Sequence, residues 1–101
     1  MATGTDVKEK TKVSQKVKPP SRFKVLYLND NVTTQQFVMD TLMGVFGHSE
    51  DTAHKIMLQV HEEGAGIAAV LPYEIAEQKG VEVSIMARQQ GFPLQIKLEP
   101  E

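Results

Sequence analysis

Hydrophobic and polar positions fall into six short blocks along this chain, preceded by a stretch with no pattern. Residues 1–20 show neither a period of 2 nor one of 3.6, and they close on Pro19-Pro20. Such a segment buries too little apolar area to offset its chain entropy, so a disordered N-terminal extension is expected there. The two prolines, with fixed φ and no backbone donor, mark the boundary to a folded unit over residues 21–101.

The pattern changes at Arg22. The run Arg22-Phe23-Lys24-Val25-Leu26-Tyr27-Leu28 is β-rich and partly alternating, which predicts a strand. Asn29-Asp30-Asn31 stops it, because short polar side chains that bond their own backbone favour turns. Thr33-x-x-Gln36 fits a capping box, and Phe37, Val38, Thr41, Leu42, Val45 and Phe46 then recur at helical spacing up to Gly47. Ser49 is suited to cap a second helix, with Glu50 and Asp51 complementing the dipole of its first turn. Ala53, Ile56, Met57 and Val60 form its apolar stripe, and Gly64 closes it. The short apolar run from Gly66 to Leu71 predicts a second strand. Pro72 opens a third helix running to about Gln90, with Gly91 as its cap and Gly80 in its interior at a cost of ~1 kcal/mol relative to Ala. After Phe92-Pro93, Leu94, Ile96 and Leu98 alternate with Gln95, Lys97 and Glu99 as a last strand. The expected fold is α+β: a three-stranded antiparallel sheet with three helices on one face, in the order β-α-α-β-α-β.

Composition narrows the function classes. Hydrophobic residues make up 41% of the 101, enough for a core, and there is no cysteine, so disulfides and thiolate metal sites are excluded. No apolar run reaches the ~20 residues of a membrane span, and the N-terminus lacks the apolar region of a secretory signal. A cytoplasmic protein without membrane contact is expected. Residues 1–20 hold five lysines against Asp6 and Glu9, a net of +3, whereas the rest holds six basic and eleven acidic side chains, a net of −5. Nucleic-acid binding is not expected, because phosphate recognition wants the folded surface basic as well.

Catalytic and metal chemistry find little support. His48, His54 and His61 are spaced six and seven apart, whereas two ligands on one helix face want i and i+4, so no metal is expected. Asn29-Asp30-Asn31 lacks the turn glycine and distal Glu of a calcium loop. There is neither a glycine-rich phosphate loop nor a serine in a nucleophile-elbow context, so no catalytic residue and no cofactor is assigned. What stands out is that His61 follows Met57 by four, which places an imidazole at the rim of an apolar helix face.

At these residues the chain resembles the ClpS family, the N-degron (N-end rule) adaptors of the ClpA and ClpC AAA+ unfoldases. The resemblance is carried by Val25-Leu26-Tyr27-Leu28-Asn29-Asp30, by Thr33 and Phe37-Val38, by Ile56-Met57-Leu58-Gln59-Val60-His61-x-x-Gly64, and by Pro93-Leu94-x-x-x-Leu98-Glu99. It covers about residues 21–99, with no large gaps between blocks. It implies an adaptor that binds substrate proteins and peptides by a free N-terminal Leu, Phe, Tyr or Trp and hands them to an unfoldase for degradation by ClpP. The implied partners are those substrates and the N-terminal domain of a ClpA- or ClpC-type unfoldase, with the adaptor itself a monomer. By family position, Asn29, Asp30 and His61 hold the α-amino group. Asn31 and Thr33 contact the peptide backbone, and Val38, Met57, Val60 and Leu94 form the hydrophobic pocket. Gln35 stands at the pocket's gate, and residues 1–20 match the extension needed for delivery.

The chemistry of that assignment is coherent, since an α-ammonium has three donors and an amide carbonyl, a carboxylate and a neutral imidazole supply three acceptors. Two positions depart from the family pattern. Asn31 replaces a second Asp and offers no charge, and Gln35 replaces a Met that gates the pocket against β-branched residues. These departures motivate an alternative: a regulator that docks on the unfoldase without degron capture, or an interaction domain akin to the C-terminal domain of the ribosomal stalk protein.

Overall fold

The computed structural model describes residues 21–101; the N-terminal extension expected over residues 1–20 lies outside the described residues. Six elements follow: β1 (Arg22–Leu28), α1 (Gln35–Gly44), α2 (Glu50–Glu63), β2 (Ala65–Pro72), α3 (Tyr73–Gln89) and β3 (Gln95–Pro100). The strands form one antiparallel sheet in the order β2-β1-β3, so the first strand lies in the middle and is paired on both edges.

The alternation in β1 decides which face meets the helices. Val25 and Tyr27 are fully buried, and their register partners on β3, Leu98 and Ile96, lie on the same face. Lys24, Leu26 and Leu28 pair with Glu99, Lys97 and Gln95 on the opposite, half-exposed face. Over the buried face sit Val38 and Leu42 of α1, Ala53, Met57 and Val60 of α2, and Ala76, Val83 and Ala87 of α3, which together with Ala68 and Leu94 complete the core. Gly80 accounts for its presence inside α3: a Cβ there would lie 3.3 Å from Ile96 Cγ2, so the absence of a side chain lets the helix lie close on β3.

The sheet is irregular at one point. Val25 pairs with Ala69 but Leu26 with Ile67, so Ala68 is an extra residue in β2, a β-bulge. Its carbonyl is taken by His48 Nε2, and the His48 ring stacks on Phe46. A histidine in the α1–α2 turn thus anchors the bulge.

Three local expectations are corrected. The cap of α1 is Thr34, not Thr33: Thr34 is extended and its Oγ1 accepts from Phe37 N at 3.1 Å, while Gln36 Nε2 bonds Asp40 rather than reaching back. Thr33 instead turns to Asp30, to which both its N–H and its Oγ1 donate. Pro72 ends β2 and stands at the N-cap of α3, one place earlier than a first-turn proline, while the helix ends at Gln89 with Gln90 as its cap, in line with the expected end near Gln90. The regular part of α1 ends at Gly44, before the chain turns at Gly47. Ser49 and Gly64 cap α2 as their sequence positions imply.

Candidate functional site

The carboxyl end of β1 and the carboxyl end of α2 are brought side by side by backbone chemistry. Gly64 takes the left-handed conformation at φ +88, ends α2 with its N–H on Val60 O, and turns the chain into β2. Asn29 N then donates to Gly64 O at 2.9 Å, one step beyond the Leu28–Ala65 pair of the β1–β2 ladder. The end of β1 is therefore pinned beside the last helical turn of α2, which carries His61.

The loop that follows is organised by one carboxylate. Asp30 Oδ1 accepts from Val32 N at 2.8 Å and from Thr33 N at 2.6 Å, and Oδ2 accepts from Thr33 Oγ1 at 2.7 Å. This is an Asx-type turn, in which a side chain replaces the next residue's backbone partner. A carboxylate offers about four lone-pair positions, so one remains on Oδ2 for an incoming donor. Partial burial pushes the Asp30 carboxyl upward. The Thr33 and Val32 bonds and the Arg88 charge outweigh that, and the net effect holds it below its ordinary range.

These elements enclose a cavity of about 260 Å³ lined by Asn29, Asp30, Asn31, Thr33, Gln35, Val38, Met57, Val60 and His61. Its chemistry is divided by depth. Val38, Met57 and Val60 are buried, at 6%, 6% and 4% exposure, and make an apolar floor. Asn29, Asn31, Gln35 and His61 are exposed and form a polar rim, with Asp30 and Thr33 half-buried between. The rim carries one carboxylate and no cation among its lining residues. A ligand that fits presents a cationic donor at the rim and one apolar group to the floor; the volume lies below the ~300 Å³ at which drug-sized pockets begin. Every lining residue was named from the sequence. Leu94, the remaining one, is fully buried and is not among the lining residues.

The wall formed by Val60 depends on a close approach that the sequence did not signal. A Cβ on Gly66 would lie 2.7 Å from Val60 Cγ2, 3.1 Å from Ile56 O and 3.2 Å from Val60 N. Strand β2 therefore abuts the backbone of α2 directly behind the site. Arg88, which acts on Asp30 from the last turn of α3, was also missed; its only signal was a basic residue shortly before the Gly91 cap.

Other candidate chemistry is dispersed. Among the described residues no group of three or more His, Asp or Glu is placed to hold a metal ion. His54 lies in a separate hollow with Met39, Glu50, Asp51 and Lys55, and His48 is engaged at the bulge. A larger groove of about 590 Å³ runs between α3 and β3 past Val81, Ile85, Ile96 and Leu98. It is mostly apolar, with Glu77, Ser84, Arg88 and Gln89 as its polar lining. Among the described residues no helix is long and apolar enough to cross a membrane.

Residues 18–97 match the family model described as the ATP-dependent Clp protease adaptor protein ClpS. The chain is 41% identical to the ATP-dependent Clp protease adapter protein ClpS of Wolinella succinogenes over 99 residues, covering 98% of this chain and 97% of that protein. It is 46% identical to the same-named protein of Desulfatibacillum aliphaticivorans over 91 residues, covering 90% and 88%. Among solved structures, Agrobacterium tumefaciens ClpS2 bound to L-phenylalaninamide superposes with a TM-score of 0.79 at 38% identity, covering 82% of this chain and all of that one. With the β-α-α-β-α-β fold, the rim of acceptors over an apolar floor and a match across most of its length, this chain belongs to the ClpS family of Clp protease adaptors.

Proposed function

We propose that this protein is a non-enzymatic adaptor that captures substrates by a free N-terminal Leu, Phe, Tyr or Trp and delivers them to a ClpA- or ClpC-type unfoldase for degradation by ClpP. The observation that carries the reading is the convergence of Asn29, Asp30 and His61 over Val38, Met57 and Val60 in one cavity. Phenylalaninamide, the ligand of the Agrobacterium relative, is a free α-amine joined to one benzyl side chain, which is the chemistry of a protein's first residue.

The α-ammonium meets the rim, with Asp30 reached through the open position on Oδ2 or across a water. Asn31 and Thr33 face the following backbone, and the first side chain descends onto the floor. Leu94 supports that floor from the core. Charge-assisted hydrogen bonds contribute ~1.5–3 kcal/mol each and burial of a large apolar side chain about as much again. Lost translational and side-chain freedom opposes them, leaving micromolar affinity, ~8 kcal/mol, within reach. The adaptor acts as a monomer in the cytoplasm, and the basic extension over residues 1–20 is the segment offered to the unfoldase. Nothing in the site calls for a cofactor.

Fluorescence anisotropy with peptides that differ only in the first residue tests this. Binding of Leu, Phe, Tyr or Trp peptides, with none for Ala or for acetylated Leu, is expected, because acetylation removes the charge and two donors. Asp30→Ala or His61→Ala should weaken binding well over tenfold. Equal, weak binding of every peptide would refute capture.

A further inference from the structure

Arg88 lies outside the cavity, on the last turn of α3, yet it reaches the elements that shape it. The helix ends in a left-handed cap at Gly91, with Gly91 N on Arg88 O and Phe92 N on Ala87 O, so the chain doubles back beside its own last turn. Arg88 Nη1 then donates to Phe92 O at 2.6 Å and to Leu94 O at 3.2 Å. Pro93, between those carbonyls, has no N–H of its own. The guanidinium is therefore the clasp of this turn.

Two contacts connect the turn to the capture site. Pro93 and Gln95 share a hollow of about 290 Å³ with Leu28, Asn29 and Asp30, so the turn is the outer neighbour of the capture loop. The Phe92 ring packs edge-on against Phe37, with centroids 5.1 Å apart, and Phe37 precedes Val38 of the floor. Leu94, which follows Pro93, is fully buried in the core that also holds Val38, Met57 and Val60. A turn free to shift would move the carboxylate and the floor relative to each other.

Resting on the capture reading above, we propose that Arg88 is a positioning residue for N-terminal recognition, which clasps the Phe92–Leu94 turn and thereby fixes the spacing between Asp30 and the apolar floor. It touches no part of the ligand. The guanidinium charge also favours the ionised form of Asp30, which is otherwise surrounded by Thr33, the Val32 amide and, across the cavity, His61.

The sign of the effect separates this role from plain electrostatics. A cation near an ammonium site repels the ligand, so if Arg88 acted only as a charge, its removal would tighten binding. Positioning requires the opposite. Arg88→Met keeps the length and removes the donors and the charge. It is expected to weaken binding of a Leu or Phe peptide about tenfold, the lower end of what losing an outer support costs at a preorganised site. Arg88→Lys, which keeps a charged donor, should recover part of that loss. Binding by Arg88→Met that equals or exceeds wild type overturns the proposal.

Two ligand-free measurements make the test independent of capture itself. In the Met variant, amide exchange at Asn29 and Thr33 should accelerate while Val25 and Tyr27 in the core keep their protection, and the Asp30 carboxyl, followed by NMR, should titrate at higher pH. If wild type binds no peptide, the capture reading falls, and unchanged loop exchange in the variant would then refute the clasp as well. Faster loop exchange together with faster core exchange would reduce Arg88 to general stability and overturn the proposal.

Discussion

The sheet is joined to α1 by two buried hydroxyls, and their arrangement makes an asymmetric prediction. Tyr27 and Thr41 are both fully buried. Tyr27 OH lies 2.8 Å from Thr41 Oγ1, and Thr41 Oγ1 donates to Val38 O at 3.0 Å. Since the Thr41 proton is committed to Val38, Tyr27 is the donor in the pair. Burial drives the Tyr27 hydroxyl well above its ordinary range, a shift moderated by the Thr41 bond, so it stays protonated and needs an acceptor. Tyr27→Phe removes the donor and leaves Thr41 satisfied by Val38, at a cost of ~1 kcal/mol. Thr41→Val, nearly equal in volume, leaves the Tyr27 hydroxyl buried with no acceptor, and should cost about 2–3 kcal/mol. The double variant has no stranded polar group, so its cost should be about 1–2 kcal/mol, less than the sum of the singles. Urea unfolding at constant m-value measures all three. If Thr41→Val cost no more than Tyr27→Phe, or if the two effects simply added, the donor assignment and the penalty reasoning would both be wrong.

Further expectations concern the site and its supports. Gly66→Ala places a Cβ against Val60 and two backbone atoms of α2, so β2 must retreat; a loss of about 1–3 kcal/mol is expected with weaker peptide capture, read by urea melts and anisotropy. Gln35→Met alters an exposed rim residue and should change the preference among apolar first residues while leaving stability intact; an unchanged preference profile would remove Gln35 from the gate. Hydrogen bonds from Thr33 and Val32 hold the Asp30 carboxyl below its ordinary range in the folded chain, so they add stability that is present above the ordinary carboxylate range and disappears as pH falls through the lowered folded value. The stability difference between wild type and Asp30→Asn should therefore shrink on acidification, and a pH-independent difference would contradict it.

Local signals were read well wherever one residue's chemistry suffices. Ser49 and Gly64 bound α2 because an N-cap hydroxyl and a left-handed glycine act within a few residues of themselves. The β-rich, partly alternating run from Arg22 to Leu28 located β1, while which of its residues face inward, Val25 and Tyr27, came from the packed sheet. Seven of the nine cavity residues were legible for a different reason: they belong to a spaced motif whose resemblance to a family supplies the ligand, which periodicity alone does not, while Asn31 and Gln35 were named by position although they depart from the family pattern.

Local pattern and resemblance thus carry the set of elements, their order and the candidates for the capture site. How those residues are held is a matter of the packed fold. Thr33 and Thr34 look interchangeable as caps until Asp30 claims one of them. Ala68 is an ordinary strand residue until the register with β1 leaves it over and His48 takes its carbonyl. Gly80 reads as a weak point in its helix, yet it lies against the Ile96 side chain of β3, and Gly66 marks where β2 meets the backbone of α2 too closely for a side chain. Arg88 is one exposed cation among several until the turn after α3 brings two carbonyls to it. In each case the deciding partner comes from a part of the fold whose approach no local pattern records, because packing and register, rather than residue type, set which groups meet.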